Sequence, residues 1–282
     1  MKLLQWNIQW CRGMDGVVDP SRIARFANAF ANPDVVCFQE VAINYPELAG
    51  SSGEDQVELL KREFPGYAAV FGVAVEVPDD KGGRRQFGNL ILSRLPMRQV
   101  FRHTLPWPPE ADTPSMPRIA VEAVIESDIG AVRVITTHLE YYSARQRMAQ
   151  VERLRELHEE ACEHSRTQSS AQYRSGPFEP FARPVPAILT GDFNMKADDP
   201  ACVKLQSPFG GKVPRLVDAW AHLNPGIKHP PTFCLHGKDH AKEPYCCDFV
   251  FVTEGLAPRL KSVRIDVDTQ DSDHQPVAIE LG

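Results

Sequence analysis

Hydrophobic and polar positions alternate strictly near the start of the chain. In "KLLQWNIQW", Leu4, Trp6, Ile8 and Trp10 share one face, and Gln5, Asn7 and Gln9 share the other. That is the period of a half-buried strand. "DVVCFQE" does not alternate. It is a continuous apolar run that stops at Glu40, as a strand buried on both faces does. "FGNLILS", "IAVEAVIES", "AVRVITTHL", "VPAILTGDFN", "DFVFVT" and "PVAIEL" complete a set of short strands. Turn signals such as "DDKGGRR", around Gly82 and Gly83, separate most of them.

Helical periods lie between the strands. Residues 20–30 ("PSRIARFANAF") begin at a proline, and residues 54–63 form a second candidate. The clearest helix covers 144–164. Ser143 and Gln146 have the spacing of a capping box, and Met148, Val151, Leu154, Leu157 and Ala161 keep one apolar stripe. Residues 165–184 are rich in Ser, Gln, Pro and Arg and read as a long exposed loop. There is no internal repeat, coiled coil or linker between separable units, so residues 1–282 are expected to form one domain. Many strands with interleaved helices predict a layered α/β sandwich, two sheets face to face with helices outside.

Composition narrows the function rather than the fold. The chain is 43% hydrophobic and 24% charged, with a net charge of −6. This argues against a protein coated in basic surface, though not against a local basic groove. A cluster of metal-binding carboxylates is one source of an acidic balance. The N-terminal stretch has no long apolar run, so no signal peptide is expected. No apolar run reaches the length of a membrane span. Seven scattered cysteines suggest a reduced, cytoplasmic protein, and a monomer is expected.

The candidate chemistry sits at the strand ends. Asn7 closes the first strand, Glu40 the second, His138 the "ITTHL" run, and Asp192 and Asn194 the "AILTGDFN" run. Asn89 opens "NLILS", Asp248 opens "DFVFV", and Asp273 and His274 precede the last strand. Each residue alone reads better as a turn, a cap, a structural histidine or a solvated terminus. Together they supply the carboxylate and amide oxygens that a hard divalent cation takes, and the donors that a phosphate takes.

In this order, "WNIQW", "CFQE", "FGNLILS", "TTHL", "LTGDFN", "CDFVFV" and "SDHQPV" resemble the motifs of the endonuclease/exonuclease/phosphatase superfamily, over residues 5–281. The histidine in "TTHL" is similar to the branch containing phosphodiesterases, sphingomyelinases and deadenylases. There is a fainter similarity to tyrosyl-DNA phosphodiesterases. The resemblance implies a four-layer α/β/β/α sandwich of the DNase I-like kind and Mg2+-dependent cleavage of a P–O bond, with Mn2+ as a substitute. It makes Glu40 the principal metal ligand, with Asn7 beside it and Asp273 at the metal end. Asp192 would orient or deprotonate the attacking water, and Asn194 would hold a phosphate oxygen. His138 would donate to the phosphate. His274, its tautomer held by Asp248, would contact the scissile phosphate or act as base. The sequence departs from the pattern at Gln9, where several nucleases of the family carry an acidic residue.

Asn89, Arg84, Arg85, Tyr141 and Arg145 are candidate substrate contacts, and so are Arg118, Arg147 and Tyr142. The tyrosines could stack on a base or pack on the helix. Trp10 lies on the apolar face of its strand and is expected in the core. His229, Cys234, His236, His240, Cys246 and Cys247 crowd one segment, but the paired cysteine spacing of a Zn2+ site is missing. The reading is a phosphodiesterase or nuclease acting on a phosphate ester, with nucleic acid as one candidate. The alternatives are a phosphomonoesterase or sphingomyelinase-type enzyme acting on an inositol phosphate or lipid headgroup, and a catalytically dead binding module.

Overall fold

The computed structural model describes the chain except residues 81, 168–175, 180, 182 and 238–242. Its strands are β1 (Lys2–Asn7), β2 (Val35–Ile43), β3 (Ala68–Pro78), β4 (Arg84–Ser93), β5 (Met97–Thr104) and β6 (Ile119–Ser127). They continue as β7 (Gly130–His138), β8 (Ala187–Asp192), β9 (Leu216–Asp218), β10 (Asp248–Thr253), β11 (Leu260–Ile265) and β12 (Val277–Leu281). The helices are α1 (Pro20–Ala31), α2 (Gln56–Glu63), α3 (Ala144–Arg166), α4 (Pro200–Gln206) and α5 (Ala219–Leu223). One sheet runs β11-β12-β1-β2-β4-β3 and the other β5-β6-β7-β8-β10-β9.

The expected layering is present. Leu3, Val35, Cys37 and Ile91 of the first sheet pack against Val121, Val134, Ile188 and Val250 of the second. Leu4, Trp6 and Phe38 turn outward onto Ile23, Ala27 and Leu60 of α1 and α2. Ile135, Leu189 and Phe251 turn outward onto Val151, Leu154 and Leu205 of α3 and α4. The result is an α/β/β/α sandwich. The apolar face of β1 packs on a helix, so its polar face, Gln5 and Asn7, lies between the sheets, fully buried.

Side chains cap three of the helices, at α3 the one that the sequence suggested. Asp19, Asp55 and Ser143 accept from the backbone N–H three residues on, at 3.0, 2.9 and 3.0 Å. Only half of the capping box of α3 forms, because the Gln146 amide donates to the Pro108 carbonyl instead. The loop expected from 165 opens later, since α3 runs to Arg166. Much of that loop lies outside the described residues, and its Arg183 is buried against Glu122 rather than exposed.

Two strand predictions need correction. β2 does not stop at Glu40. It bulges there, its register with β4 shifting between Phe38 and Val41, and Glu40 sits in the left-handed region at φ +59°. Trp10 is not core. β1 ends in a tight turn with φ of +44° at Gln9 and Trp10, which swings the indole away to donate to the Ala49 carbonyl at 3.0 Å.

Candidate active site

Strand register assembles one row of polar side chains. β7 pairs parallel to β8 with His138 opposite Asp192, and β10 pairs antiparallel to β8 with Asp248 also opposite Asp192. Gly191 makes the close approach possible. It has a φ of +145°, and a Cβ there would lie 1.9 Å from the Thr137 carbonyl oxygen. From the first sheet, β1 delivers Asn7 and the β2 bulge re-aims Glu40. The turn before β12 brings Asp273 and His274, held where Ser272 donates to the Asn7 carbonyl at 2.8 Å and Trp6 to the His274 carbonyl at 2.9 Å.

Asp192 is the centre of this constellation. Its Oδ2 lies 3.0 Å from Asn7 Nδ2, 3.4 Å from His138 Nε2 and 3.6 Å from His274 Nε2. Its Oδ1 accepts the Asn194 backbone N–H at 2.9 Å. Asn7 Nδ2 also donates to Glu40 Oε1 at 3.0 Å, bridging the two carboxylates. Burial is the main force raising Asp192 to about 6, despite the opposing pull of His274. Burial, with the charge of Asp273, raises Glu40 to about 7.

The two histidines are driven in opposite directions. Burial would lower His274, but Asp248 and Asp192 outweigh it and hold the ring well above its ordinary value. Asp248 Oδ2 meets His274 Nδ1 at 2.9 Å, which points Nε2–H into the cleft. Asp248 is itself fixed by Gln5 at 2.9 Å and by Thr232 at 2.7 Å. Burial, then the Arg118 charge, pushes His138 well below its ordinary value, so it is neutral. Asn194 Nδ2 donates to His138 Nε2 at 3.0 Å, which assigns the ring proton to Nδ1, on the Glu40 side.

This geometry revises one expected role. Asn194 Nδ2 donates to the Leu139 carbonyl at 2.9 Å as well as to His138, leaving no N–H for a phosphate oxygen. The amide positions His138 instead. Asn89 is buried beside the site and donates to the Ile119 carbonyl at 3.0 Å. Arg84 pairs with Glu76 at 2.9 Å and Arg85 with Glu47 at 2.7 Å, and neither lines the cleft. Arg145 is exposed outside the cleft and donates to the Pro109 carbonyl. These three arginines were singled out by closeness in sequence to site residues, but the strand period and the helix turn direct them away. Tyr141 does line the cleft.

The donor set suits a hard cation. Glu40, Asp273 and Gln9 line the same cleft. Gln9 donates its Nε2 to Asp273 Oδ2 at 2.9 Å, and its amide oxygen is buried with no hydrogen-bond partner. Two carboxylates on one cleft wall and an orphaned amide oxygen are what a divalent ion with oxygen ligands takes. Asn7 offers its N–H to Glu40 and its oxygen to the Gln9 N–H, so it would ligate only after its amide flips. Asp192, Cys247 and His274 also bring ligand atoms within 4.8 Å of one another. Burial raises the Cys247 thiol well above its ordinary value, which makes it a poor ligand. Among the described residues the Cys- and His-rich segment forms no cluster of its own, as expected from its spacing. His229 binds Asp218, and His236 binds the Val267 carbonyl. His240 lies outside the described residues.

Comparison with known proteins places the chain in a family. The model of the endonuclease/exonuclease/phosphatase family matches residues 4–274. The chain belongs to this family. Its members are metal-dependent phosphoesterases, so the chain is an enzyme of that class. No curated protein matches the chain significantly. Among solved structures, a family member from Beutenbergia cavernae shares 23% identity over the whole chain and 72% of its own length, with a TM-score of 0.66. A mannosyl-6-phosphatase from Bacteroides thetaiotaomicron shares 19% over 100% of this chain and 99% of its own, TM-score 0.65. TDP2 from D. rerio, solved with a single-strand DNA product, shares 17% over 99% and 97%, TM-score 0.64.

Some site residues of this family member had no distinct sequence signal. Thr232 and Phe233 reach the site because their segment bridges to Tyr245 and to His274, and the Phe233 ring lies 4.5 Å from the His274 ring. Arg118 and Glu140, an ion pair at 3.5 Å, form a buried part of the cleft wall. One guanidinium nitrogen of Arg118 is buried without a partner. Arg118 was a candidate contact in the sequence, as a charged residue before a strand run, whereas Glu140 was not.

Proposed function

We propose that this chain is a Mg2+-dependent phosphodiesterase that cleaves a P–O bond by in-line attack of water. The carrying observation is Asp192 Oδ2, set between two imidazoles at 3.4 and 3.6 Å that burial and charge hold in opposite protonation states. Asp192, raised to about 6, is ionised at neutral pH yet basic enough to take a proton from the attacking water. The water oxygen bonds to phosphorus as the ester P–O bond breaks. His274, charged and anchored by Asp248, donates Nε2–H to a phosphoryl oxygen as negative charge builds there. Neutral His138, fixed by Asn194, offers its Nδ1–H from the other side. The unpaired N–H of Arg118 is a third donor. Glu40, Asp273 and the Gln9 oxygen would hold Mg2+, or Mn2+ in its place, with Asn7 beside them. Bound there, the ion would neutralise charge on the phosphoryl and leaving-group oxygens.

Four carboxylates and a single arginine, itself paired with Glu140, line the cleft. That balance favours an ester with one phosphate at the cleft over an inositol polyphosphate. Seven free, buried cysteines favour a reducing compartment, and we propose a cytoplasmic, monomeric enzyme with all 282 residues in one domain. No helix among the described residues is long and apolar enough to cross a membrane.

The test is hydrolysis of end-labelled single- and double-stranded oligonucleotides and of a p-nitrophenyl diester, with Mg2+ and with EDTA. Cleavage in Mg2+ that EDTA abolishes and that His274→Ala lowers by about three orders of magnitude is expected. Failure of the folded protein to cleave any diester, while it releases phosphate from monoesters, would overturn the reading.

A further inference from the structure

The cleft does not end at Asn194. Tyr141, Tyr142 and Asn194 form a wall shared by two recesses. The first, of about 400 Å3, holds Glu40, His138, Asp192 and His274 beneath Trp10 and Phe233. The second, of about 490 Å3, lies on the other side of the wall and is bounded by Arg147, Lys196, Asp199 and Tyr245. A left-handed Asn194, φ +50°, separates the two roles of one short segment: Met195 behind it is buried, and Lys196 emerges into the second recess.

The second recess has a composition that packing does not require. Tyr142 is 64% exposed and stands edge-on to Tyr141, with ring centres 4.8 Å apart. The Lys196 ammonium sits 5.5 Å above the Tyr245 ring. Arg147 is occupied elsewhere: it donates to the Glu140 and Tyr141 carbonyls and faces Asp199 at 3.6 Å. With Asp199 facing Arg147, the recess offers the Lys196 ammonium and the Asp198 carboxylate among aromatic rings, beside the catalytic row but outside it. A phosphomonoester has one organic substituent and would use one recess. A phosphodiester has two.

Resting on the phosphodiesterase reading, we propose that the Lys196 recess binds the second ester arm, a nucleotide-like unit whose flat ring stacks on Tyr142 and whose further phosphate meets Lys196. Stacking on an aromatic face tolerates any base, and a lone ammonium suits one added phosphate. The carboxylates of Asp198 and Asp199, which also line the recess, work against a longer run of phosphates. The recess is thus matched to the single unit that stays on phosphorus when the ester bond breaks, rather than to a long polyanion.

Three diesters with a common leaving group test this in Mg2+: methyl p-nitrophenyl phosphate, p-nitrophenyl thymidylate, and the thymidylate carrying a phosphate on its free sugar hydroxyl. Wild-type kcat/KM is expected to rise at least about fivefold at each step. Tyr142→Ala should shrink the thymidylate-to-methyl ratio at least about fivefold, and Lys196→Ala should erase the gain from the added phosphate. Equal efficiency on all three esters, or ratios unchanged in both variants, would overturn the second-arm assignment and leave the phosphodiesterase reading standing. No turnover of any of the three by folded wild type would overturn both.

Discussion

At the scale of single residues, the site works by hydrogen bonds that leave each ring nitrogen one role. Thr232 shows how indirect that control is. Its hydroxyl donates to Asp248 Oδ2 at 2.7 Å and accepts the backbone N–H groups of Cys247 and Asp248 at 3.1 and 3.2 Å. Thr232→Val keeps the shape and removes this oxygen. Asp248 then holds His274 less firmly, and a lost bond to a charged group is worth about 1.5–3 kcal/mol. The expected result is a kcat lowered by about tenfold to a hundredfold with KM little changed. Unaltered kcat in steady-state kinetics would remove Thr232 from the positioning chain. Asp192, Asp248 and His274 were legible in the sequence because they sit in recognisable strand-end motifs. Thr232 and Phe233 were not, because a loop brings them in and no local pattern encodes where a loop docks.

At the scale of elements, the eight strand runs read from the sequence are β1, β2, β4, β6, β7, β8, β10 and β12. The strands missed are β3, β5, β9 and β11, which are the four edges of the two sheets. The cause is physical. An edge strand is covered on fewer sides and carries charges that deter pairing with other chains, as in "MRQVFRHT" and "LKSVRI". Its apolar period is diluted below what a pattern search detects. One edge is tied back by a buried charge cluster. Glu122 of β6 meets Arg183 at 3.1 and 3.0 Å and His103 of β5 at 3.2 Å, while Arg133 of β7 donates to His158 of α3 at 2.8 Å. Burial would raise Glu122, but His103, Arg183 and Arg133 outweigh it and lower the carboxyl to about 2. Burial, then Arg133, lowers His158 to about 4. Both groups bind fewer protons folded than unfolded, so both lose stability as pH falls. The His158 contribution fades from about 6.5 down to its folded value, and that of Glu122 from about 4.3 down to its own. Thermal unfolding against pH should show both losses. His158→Phe should flatten the upper part of the slope and Glu122→Gln the lower part. Glu122→Gln should also cost about 3–5 kcal/mol at neutral pH, because two buried guanidinium groups lose their counter-charge. Slopes unchanged in either variant would contradict the cluster's role.

At the scale of the whole molecule, the site lies in the seam between the two sheets, so its charge state bears on the stability of the sandwich. Gln39 donates to Thr136 across the seam at 2.8 Å, and Gln5 links Gln39 at 2.9 Å to Asp248 at 2.9 Å. The order of the motifs along the chain made the sandwich legible. This inner polar layer was not, since both glutamines look like solvent-facing positions until the second sheet covers them. Glu40 and Asp192, raised to about 7 and about 6, bind more protons folded than unfolded. Without metal, their ionisation lowers stability as pH rises from about 4 through those folded values, the opposite sign to the Glu122 cluster. A divalent cation between Glu40 and Asp273 would cancel the upper part of that loss. Mg2+ at a hundred times its Kd is therefore expected to stabilise the protein by about 2.7 kcal/mol, or about 5 °C in Tm, at pH about 8. At pH about 5 the gain should be much smaller, because the protons that Glu40 and Asp192 retain compete with the ion. Glu40→Gln removes a carboxylate that burial and Asp273 both penalise. It should raise the metal-free Tm at pH about 8 and abolish the response to Mg2+, both read in one calorimetric series. A variant that still gains stability from Mg2+ would move the ion away from Glu40. A variant less stable than wild type without metal would mean that the hydrogen bond from Asn7 outweighs the charge crowding.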